Sequence, residues 1–242
     1  MTPLPGSRVL DDGMTIEVLP DADAIALRGA GWIAGTLVHA VASRKRCVLA
    51  ISGGCSPWPM FRRLVMDSSV PWERVHIMQV DERIAPDGDV DRNWTQAARV
   101  FGGVVPDGNL HPMPVGDEDL ESACDRYAAL LEKLTGGDGL CIAHLGLGPD
   151  GHTASLFPCD LILEVQDRSV ALTSHEHAGR RRMSLTYRVL AHARHLLWQV
   201  QGAGKMAMLS RLIEGDGSIP AARVRRDTSL VLADAAAMGG AD

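Results

Sequence analysis

The fold of this chain is indicated most clearly by the segment Leu140-Cys-Ile-Ala-His-Leu-Gly-Leu-Gly-Pro-Asp-Gly-His-Thr-Ala-Ser-Leu-Phe-Pro158. Its first half is a short apolar run, which is the pattern of a strand buried on both faces of a parallel sheet. The run breaks at Gly146-Leu-Gly-Pro-Asp-Gly151, whose glycines and proline predict an irregular turn. That turn brings Asp150 and His152 to the carboxyl end of the strand, where α/β sheets bind ligands. A histidine at this place can titrate near neutral pH and act as a general base.

Predicted strands and helices alternate on both sides of this stretch. The other strands are predicted at residues 46–52, 75–80, 169–173, 195–201 and 229–233, and helices at 21–44, 58–66, 94–100, 117–134 and up to 214. Short connections between them favour right-handed βαβ crossovers. The sequence therefore predicts one α/β domain over residues 1–242, with a mostly parallel, Rossmann-like sheet and helices on both faces. Residues 1–20 are predicted to be an N-terminal extension with room for an extra strand.

The composition excludes several classes of protein. A hydrophobic content of 46% and a charged content of 22% are ordinary for a soluble globular protein. The net charge of −6 argues against binding to nucleic acid or to an anionic membrane. No membrane span of ~20 apolar residues and no signal peptide are predicted. Five scattered cysteines without a Cys-x-x-Cys pair indicate reduced thiols and a cytoplasmic protein. We expect a monomer or a weak homo-oligomer.

Two further predicted strands end in loops that could belong to a site. Ser52-Gly-Gly-Cys-Ser-Pro57 joins a strand to a helix, so its backbone N–H groups could hold a phosphate, although a simple tight turn fits equally well. Asp81-Glu-Arg83 follows an apolar run, and we expect all three charges to enter the same crevice. Asn93 is predicted to cap the next helix.

Basic residues occur in two later loops. Arg180-Arg-Arg182 precedes a short polar and apolar segment, and Gly202-Ala-Gly-Lys205 is a third turn between a strand and a helix. Cations beside a glycine-lined helix start suit a phosphate dianion, while a histidine with a nearby carboxylate suits proton transfer. The pair in His175-Glu-His177 has no accompanying ligands, so we interpret it as a solvated loop and predict neither a metal nor a cofactor.

Taken together, these motifs resemble the 6-phosphogluconolactonase family. The segments that carry the resemblance are Ile51–Pro57, Val80–Arg83 with Asn93, Gly146–Pro158, and Arg182–Thr186 followed by Gly202-x-x-Lys205. They run in order between about residues 20 and 235, and the Asp-Gly-His-Thr-Ala-Ser-Leu-Phe-Pro block is highly specific. The resemblance implies a sheet of the sugar-phosphate isomerase type. It also implies metal-free hydrolysis of 6-phospho-D-glucono-1,5-lactone to 6-phosphogluconate, the second step of the pentose phosphate pathway.

The resemblance also implies a role for each matching residue. His152 would deprotonate the attacking water, Asp150 would orient His152, and Arg83 would face the lactone or its phosphate. Asp81 is expected to join the catalytic residues in an undefined role. The phosphosugar would be held by Ser52, Gly53, Gly54, Ser56, Asn93, Arg182 and Lys205. Arg182 is chosen over Arg180 and Arg181 by its spacing to Ser184-Leu-Thr186, and Arg92 departs from the family pattern by adding a charge at the crevice rim.

Two alternatives remain open from the sequence. The related glucosamine-6-phosphate deaminase/isomerase family pairs its loop histidine with a glutamate five residues later, whereas this chain has Phe157 there. A phenylalanine cannot titrate, so this position favours the lactonase. The second alternative is a non-catalytic phosphosugar-binding protein, against which the presence of both Asp150 and His152 counts.

Overall fold

A seven-stranded sheet runs through the centre of the computed structural model, which describes residues 7–240. In the order of pairing, its strands are β1 (Arg8–Val9), β2 (Thr15–Leu19), β10 (Ser229–Asp234), β9 (His195–Val200), β6 (Ile142–Gly146), β3 (Cys47–Ile51) and β4 (Val75–Gln79). All neighbouring strands are parallel except β1 and β2. The predicted parallel α/β sheet is therefore confirmed, and β2 extends it by pairing with β10.

Helices cover both faces of this sheet, as predicted. One face packs against α1 (Ala22–Ser43), α2 (Trp58–Leu64) and α3 (Asn93–Phe101), and the other against α4 (Leu120–Thr135), α5 (Tyr187–Ala191) and α6 (Met206–Glu214). Strand β3 is apolar throughout because both of its faces are covered. Val48 lies in one core and Leu49 in the other, because successive side chains of a strand point to opposite faces.

Helix α1 has the length and composition of a membrane span, which the sequence prediction had excluded. Its 22 residues begin after Asp21, whose side chain accepts a hydrogen bond from Ala24 N at 2.8 Å. Ile25, Ile33 and Leu37 are fully buried in the core beside the sheet. Core packing therefore accounts for the hydropathy of this helix.

A second, smaller sheet was missed by the sequence analysis. It consists of β5 (Asp81–Arg83), β8 (Arg182–Leu185) and β7 (Val170–Leu172), all antiparallel. Residues 81–83, expected to be a charged loop, are thus a strand. Val80 joins the two sheets, since its N–H donates to Ile51 O and its carbonyl accepts from Leu185 N. Strand β7 lies within the predicted strand 169–173, but β5 and β8 have only three and four residues, too few for a strand periodicity to show in a sequence.

Candidate active site

A cavity of about 590 Å³ opens at the carboxyl ends of β3, β6 and β9. Such an edge is where parallel α/β sheets bind ligands. All eleven predicted site residues lie on its wall: Ser52, Gly53, Gly54, Ser56, Asp81, Arg83, Asn93, Asp150, His152, Arg182 and Lys205. The fold therefore brings the predicted residues together, while their individual roles stay predictions.

His152 and Asp150 form a hydrogen-bonded pair in the turn after β6. Asp150 Oδ1 lies 2.5 Å from His152 Nδ1 and also accepts a hydrogen bond from His152 N at 3.1 Å. Gly148 N donates to His152 O at 2.8 Å, which closes the turn, and Gly151 has a φ of +84° that favours glycine. Because Nδ1–H donates to the carboxylate, the neutral ring keeps the lone pair on Nε2.

The environment of this pair favours a neutral imidazole beside an ionised carboxylate. Burial lowers the pKa of His152 below 6.5, although the charges of Asp150 and Asp81 oppose that shift. Burial alone would raise the pKa of Asp150, but the contacts with His152 outweigh it and hold this pKa below 3.8. At pH 7 the pair can therefore accept a proton on Nε2 and stabilise the resulting cation.

Three cations line the same cavity without a carboxylate partner within residues 7–240. They are Arg83, Arg182 and Lys205. Arg83 Nη1 donates to Asp91 O at 2.5 Å, and Arg182 Nη2 donates to His177 O at 2.9 Å. The Nε atoms of both arginines are buried without a hydrogen-bond partner. Burial also lowers the pKa values of Arg182 and Lys205. None of the three cations forms an ion pair with the carboxylates of Asp81, Asp150 and Glu176 on the same wall, so an anion such as a phosphate could bind to them.

The glycine loop that follows β3 packs against Asn93. A Cβ atom at Gly53 would overlap with the Asn93 side chain, so only glycine allows this approach. Asn93 Nδ2 donates to Asp81 O at 3.1 Å, and its Oδ1 is buried without a partner. Asn93 thus connects the glycine loop to β5.

The chain is similar to known proteins over most of its length. Residues 20–232 match the family model described as glucosamine-6-phosphate isomerases/6-phosphogluconolactonase. The chain belongs to this family. A 6-phosphogluconolactonase of Mycobacterium tuberculosis is 31% identical over 235 residues, which cover 91% of this chain and 95% of the relative. Another from a Nostoc species is 30% identical over 205 residues, covering 82% and 84% of the two chains.

Solved structures place the same fold in both branches of the family. A 6-phosphogluconolactonase from Thermotoga maritima has a TM-score of 0.80 and 27% identity, with 90% of this chain and 98% of that chain covered. A monomeric glucosamine-6-phosphate deaminase has the same TM-score of 0.80 at 16% identity, covering 93% and 98%. At that identity the second likeness shows the fold alone.

Three predictions around β5 are wrong. Glu82 does not enter the cavity but is fully buried, where its carboxylate accepts hydrogen bonds from Asn93 N and Trp94 N at 2.7 Å each. Helix α3 therefore begins at Asn93 and is capped by Glu82 instead of by the Asn93 side chain. Arg92, expected at the rim, is 4% exposed and pairs with Asp87, with Glu82 at 3.7 Å.

The three consecutive arginines differ in their positions relative to the cavity. Arg180 pairs with Asp89 at 3.1 Å and with Asp91 at 3.5 Å, and Arg181 Nε donates to Thr173 O at 3.0 Å. Of the three, Arg182 is the one on the cavity wall. Its position in β8, directly opposite Arg83 in β5, follows from the second sheet.

The interpretation of residues 175–177 as a solvated loop is wrong for His177. Its Nε2 lies 2.9 Å from Asp160 Oδ2, and its ring stacks on Phe157 with centroids 3.7 Å apart. The ring centroids of Phe157 and His152 are 4.3 Å apart, so these two rings are also in contact. His175 is 68% exposed, as expected. No group of three potential metal ligands occurs within residues 7–240. The contact between His177 and Asp160 joins residues that are distant in the sequence, so no local pattern indicated it.

Sequence reasoning also missed two buried polar residues on the cavity wall, His144 in β6 and Gln199 in β9. Both were read as part of apolar strands. A polar side chain inside a buried strand needs a hydrogen-bond partner, and this was the signal that could have found them.

Proposed function

We propose that this chain is a 6-phosphogluconolactonase that hydrolyses 6-phospho-D-glucono-1,5-lactone to 6-phosphogluconate in the pentose phosphate pathway. Family membership and relatives of that name, matched over most of both chains, support the proposal. The observation that carries it is the His152–Asp150 pair on the wall of the cavity that also contains Arg83, Arg182 and Lys205. A base and an anion site in one cavity of this size suit a phosphorylated sugar lactone.

In the proposed reaction, His152 Nε2 removes a proton from water while the oxygen attacks C1 of the lactone. The tetrahedral oxyanion collapses, the bond between C1 and the ring oxygen breaks, and the proton passes from Nε2 to that oxygen to give the C5 hydroxyl. Asp150 stabilises the transient imidazolium. A general base contributes about 10²–10⁴-fold, and each oxyanion donor about 10²–10³-fold. No covalent enzyme intermediate is needed.

The cations and the glycine loop would bind different parts of the substrate. Lys205 and Arg182, with the backbone of the Ser52–Ser56 loop, would hold the phosphate, and Arg83 would face the lactone oxyanion. Asp81 accepts a hydrogen bond from Ser155 Oγ at 2.6 Å, so its proposed role is to position β5 and the turn after His152. Asp81 also supplies negative charge close to both His152 and Arg182.

The remaining proposals concern the state of the protein. We propose a cytoplasmic monomer or weak homo-oligomer that needs no metal or cofactor. The five cysteines are free, which fits a reducing compartment. Light scattering over a range of concentrations tests the oligomeric state, and activity after treatment with a chelator tests the metal.

The deciding experiment measures lactone disappearance against its spontaneous opening, with lactone freshly generated from glucose 6-phosphate. Wild-type protein should accelerate opening, and His152→Ala should lose at least 10²-fold in kcat. His39→Ala is the matched control, because His39 is an exposed histidine of α1 away from the cavity, and it should keep full activity. Ammonia release from glucosamine 6-phosphate with no action on the lactone would overturn the proposal in favour of the deaminase.

A further inference from the structure

Three buried polar side chains form a chain of hydrogen bonds at the base of the cavity. Ser52 Oγ lies 2.7 Å from His144 Nδ1, and His144 Nε2 lies 3.0 Å from Gln199 Oε1. Gln199 Nε2 donates to Ser56 O at 3.0 Å. The three side chains are 8%, 1% and 5% exposed, so bulk water does not compete for these bonds. The lactonase mechanism proposed above does not use His144 or Gln199.

The chemistry of the partners fixes the proton positions in this chain. Ser56 O can only accept, so the NH₂ group of Gln199 faces it and Oε1 faces His144. Oε1 also can only accept, so His144 carries its proton on Nε2. Burial lowers the pKa of His144 to about 4, against the opposing effect of Gln199, and the ring is therefore neutral at pH 7. His144 Nδ1 is then an acceptor, and the Ser52 hydroxyl must donate to it.

We infer that the His144–Gln199 pair turns Ser52 into a hydrogen-bond acceptor that recognises a hydroxyl group of the sugar. The only proton of the Ser52 hydroxyl is directed at His144, which leaves its oxygen lone pairs for a ligand. The sequence analysis expected Ser52 to help hold the phosphosugar, and this inference assigns its side chain to a hydroxyl group of the sugar instead of to the phosphate.

The ligand group that fits this oxygen follows from charge and hydrogen-bond type. A phosphate dianion at neutral pH offers acceptors, so an acceptor oxygen facing it would be unfavourable. A sugar hydroxyl offers a donor. This inference rests on the proposed function for the identity of the sugar, a 6-phosphorylated gluconate or its lactone. Within that substrate class, Ser52 is a specificity-determining residue and His144 a positioning residue.

The proton arrangement can be tested without any substrate. Histidine side-chain ¹⁵N NMR of the wild-type protein, with His144→Gln to assign the signals, should show a neutral His144 ring with its proton on Nε2 between pH 6 and 8. A ring protonated on Nδ1, or a charged ring in that range, would overturn the inference whatever the enzyme activity proves to be.

The recognition step is tested by calorimetric binding of 6-phosphogluconate and its 2-, 3- and 4-deoxy forms. Wild-type protein should bind one deoxy form about 3- to 10-fold more weakly than the parent, the loss expected for one neutral hydrogen bond. Ser52→Ala should abolish the difference in affinity between the parent and that deoxy form. His144→Leu should reduce this difference, because the Ser52 hydroxyl loses the acceptor that orients its proton. Neither variant should change the affinity for inorganic phosphate.

Two outcomes would contradict the inference and point to different errors. If Ser52→Ala still distinguishes the deoxy forms from the parent but binds inorganic phosphate more weakly, Ser52 donates a hydrogen bond to the phosphate. The proposed lactonase function is then unaffected. If none of the sugar ligands binds to the wild-type protein, both the recognition role and the proposed function are wrong, even where the NMR result supports the proton arrangement.

Discussion

Arg83 and Arg182 occupy directly opposite positions on the antiparallel strands β5 and β8, and neither guanidinium pairs with a carboxylate within residues 7–240. Like charges across a strand pair destabilise a sheet. Both Nε atoms are also buried without a hydrogen-bond partner. Asp81, close to Arg182, offsets part of the repulsion between the two guanidinium groups, and a bound anion would offset more. The two arginines should therefore favour substrate binding at a cost in the stability of the free protein.

Replacing Arg182 with glutamine should separate these two effects. We expect Arg182→Gln to raise KM for the lactone by roughly 10- to 100-fold, the loss of one or two charge-assisted hydrogen bonds, with a smaller effect on kcat. The free energy of unfolding of the ligand-free protein should stay equal or rise, since an unpaired buried charge is removed. Steady-state kinetics and urea unfolding measure the two quantities. Arg180→Gln is the control, because Arg180 pairs with Asp89 outside the cavity, and it should leave KM unchanged.

The pH dependence should report the His152–Asp150 pair. A base works only when unprotonated, and burial lowers the pKa of His152. We therefore expect kcat/KM to be constant at neutral pH and to fall only below about pH 6.5, as His152 becomes protonated. Asp150 raises the pKa of His152, so Asp150→Asn should shift this acid limb to lower pH while lowering kcat. A limb that moves to higher pH in this variant would show that Asp150 does not act through His152.

A pair of glycine substitutions should show how closely the turn after β6 positions the base. A Cβ atom at Gly148 would overlap with the His152 ring, whereas a Cβ atom at Gly146 has open space around it. Gly148→Ala should therefore reduce kcat at least 10-fold by displacing the imidazole, and Gly146→Ala should reduce it far less. Neither glycine has a positive φ, so backbone strain does not enter the comparison. If the two variants lose kcat equally and have equal melting temperatures, the close contact between Gly148 and the His152 ring does not position the base.

The buried carboxylate of Glu82 should affect both stability and substrate binding. It accepts from Asn93 N and Trp94 N at the start of α3 and from Arg83 N in β5. Glu82→Gln places an NH₂ group against one of these donors, and we expect a loss of about 2–4 kcal/mol in the free energy of unfolding, together with a higher KM through displaced Asn93 and Arg83. Chemical denaturation measures the first effect. Glu73→Gln, at an exposed glutamate, is the control and should change neither.

The main sheet could be predicted from the sequence because its strands are short apolar runs with clear ends. The loop residues of the site were found for the same reason, since the carboxyl ends of parallel strands meet at one edge. Glu82 and His177 show where this reasoning fails. Each is a polar side chain whose neighbours in the sequence suggest solvent exposure. Each is nevertheless held by a partner more than ten residues away, Asn93 for the first and Asp160 for the second.

The parallel α/β sheet, the turn after β6 and the family could all be predicted without coordinates, because they depend on local periodicity and on residues close together along the chain. Tertiary structure alone decided which arginine enters the cavity, which carboxylate caps α3, and which way the proton of Ser52 points. Those properties depend on hydrogen bonds and charges between distant segments in a buried environment, where a side chain's role is set by the partner it meets.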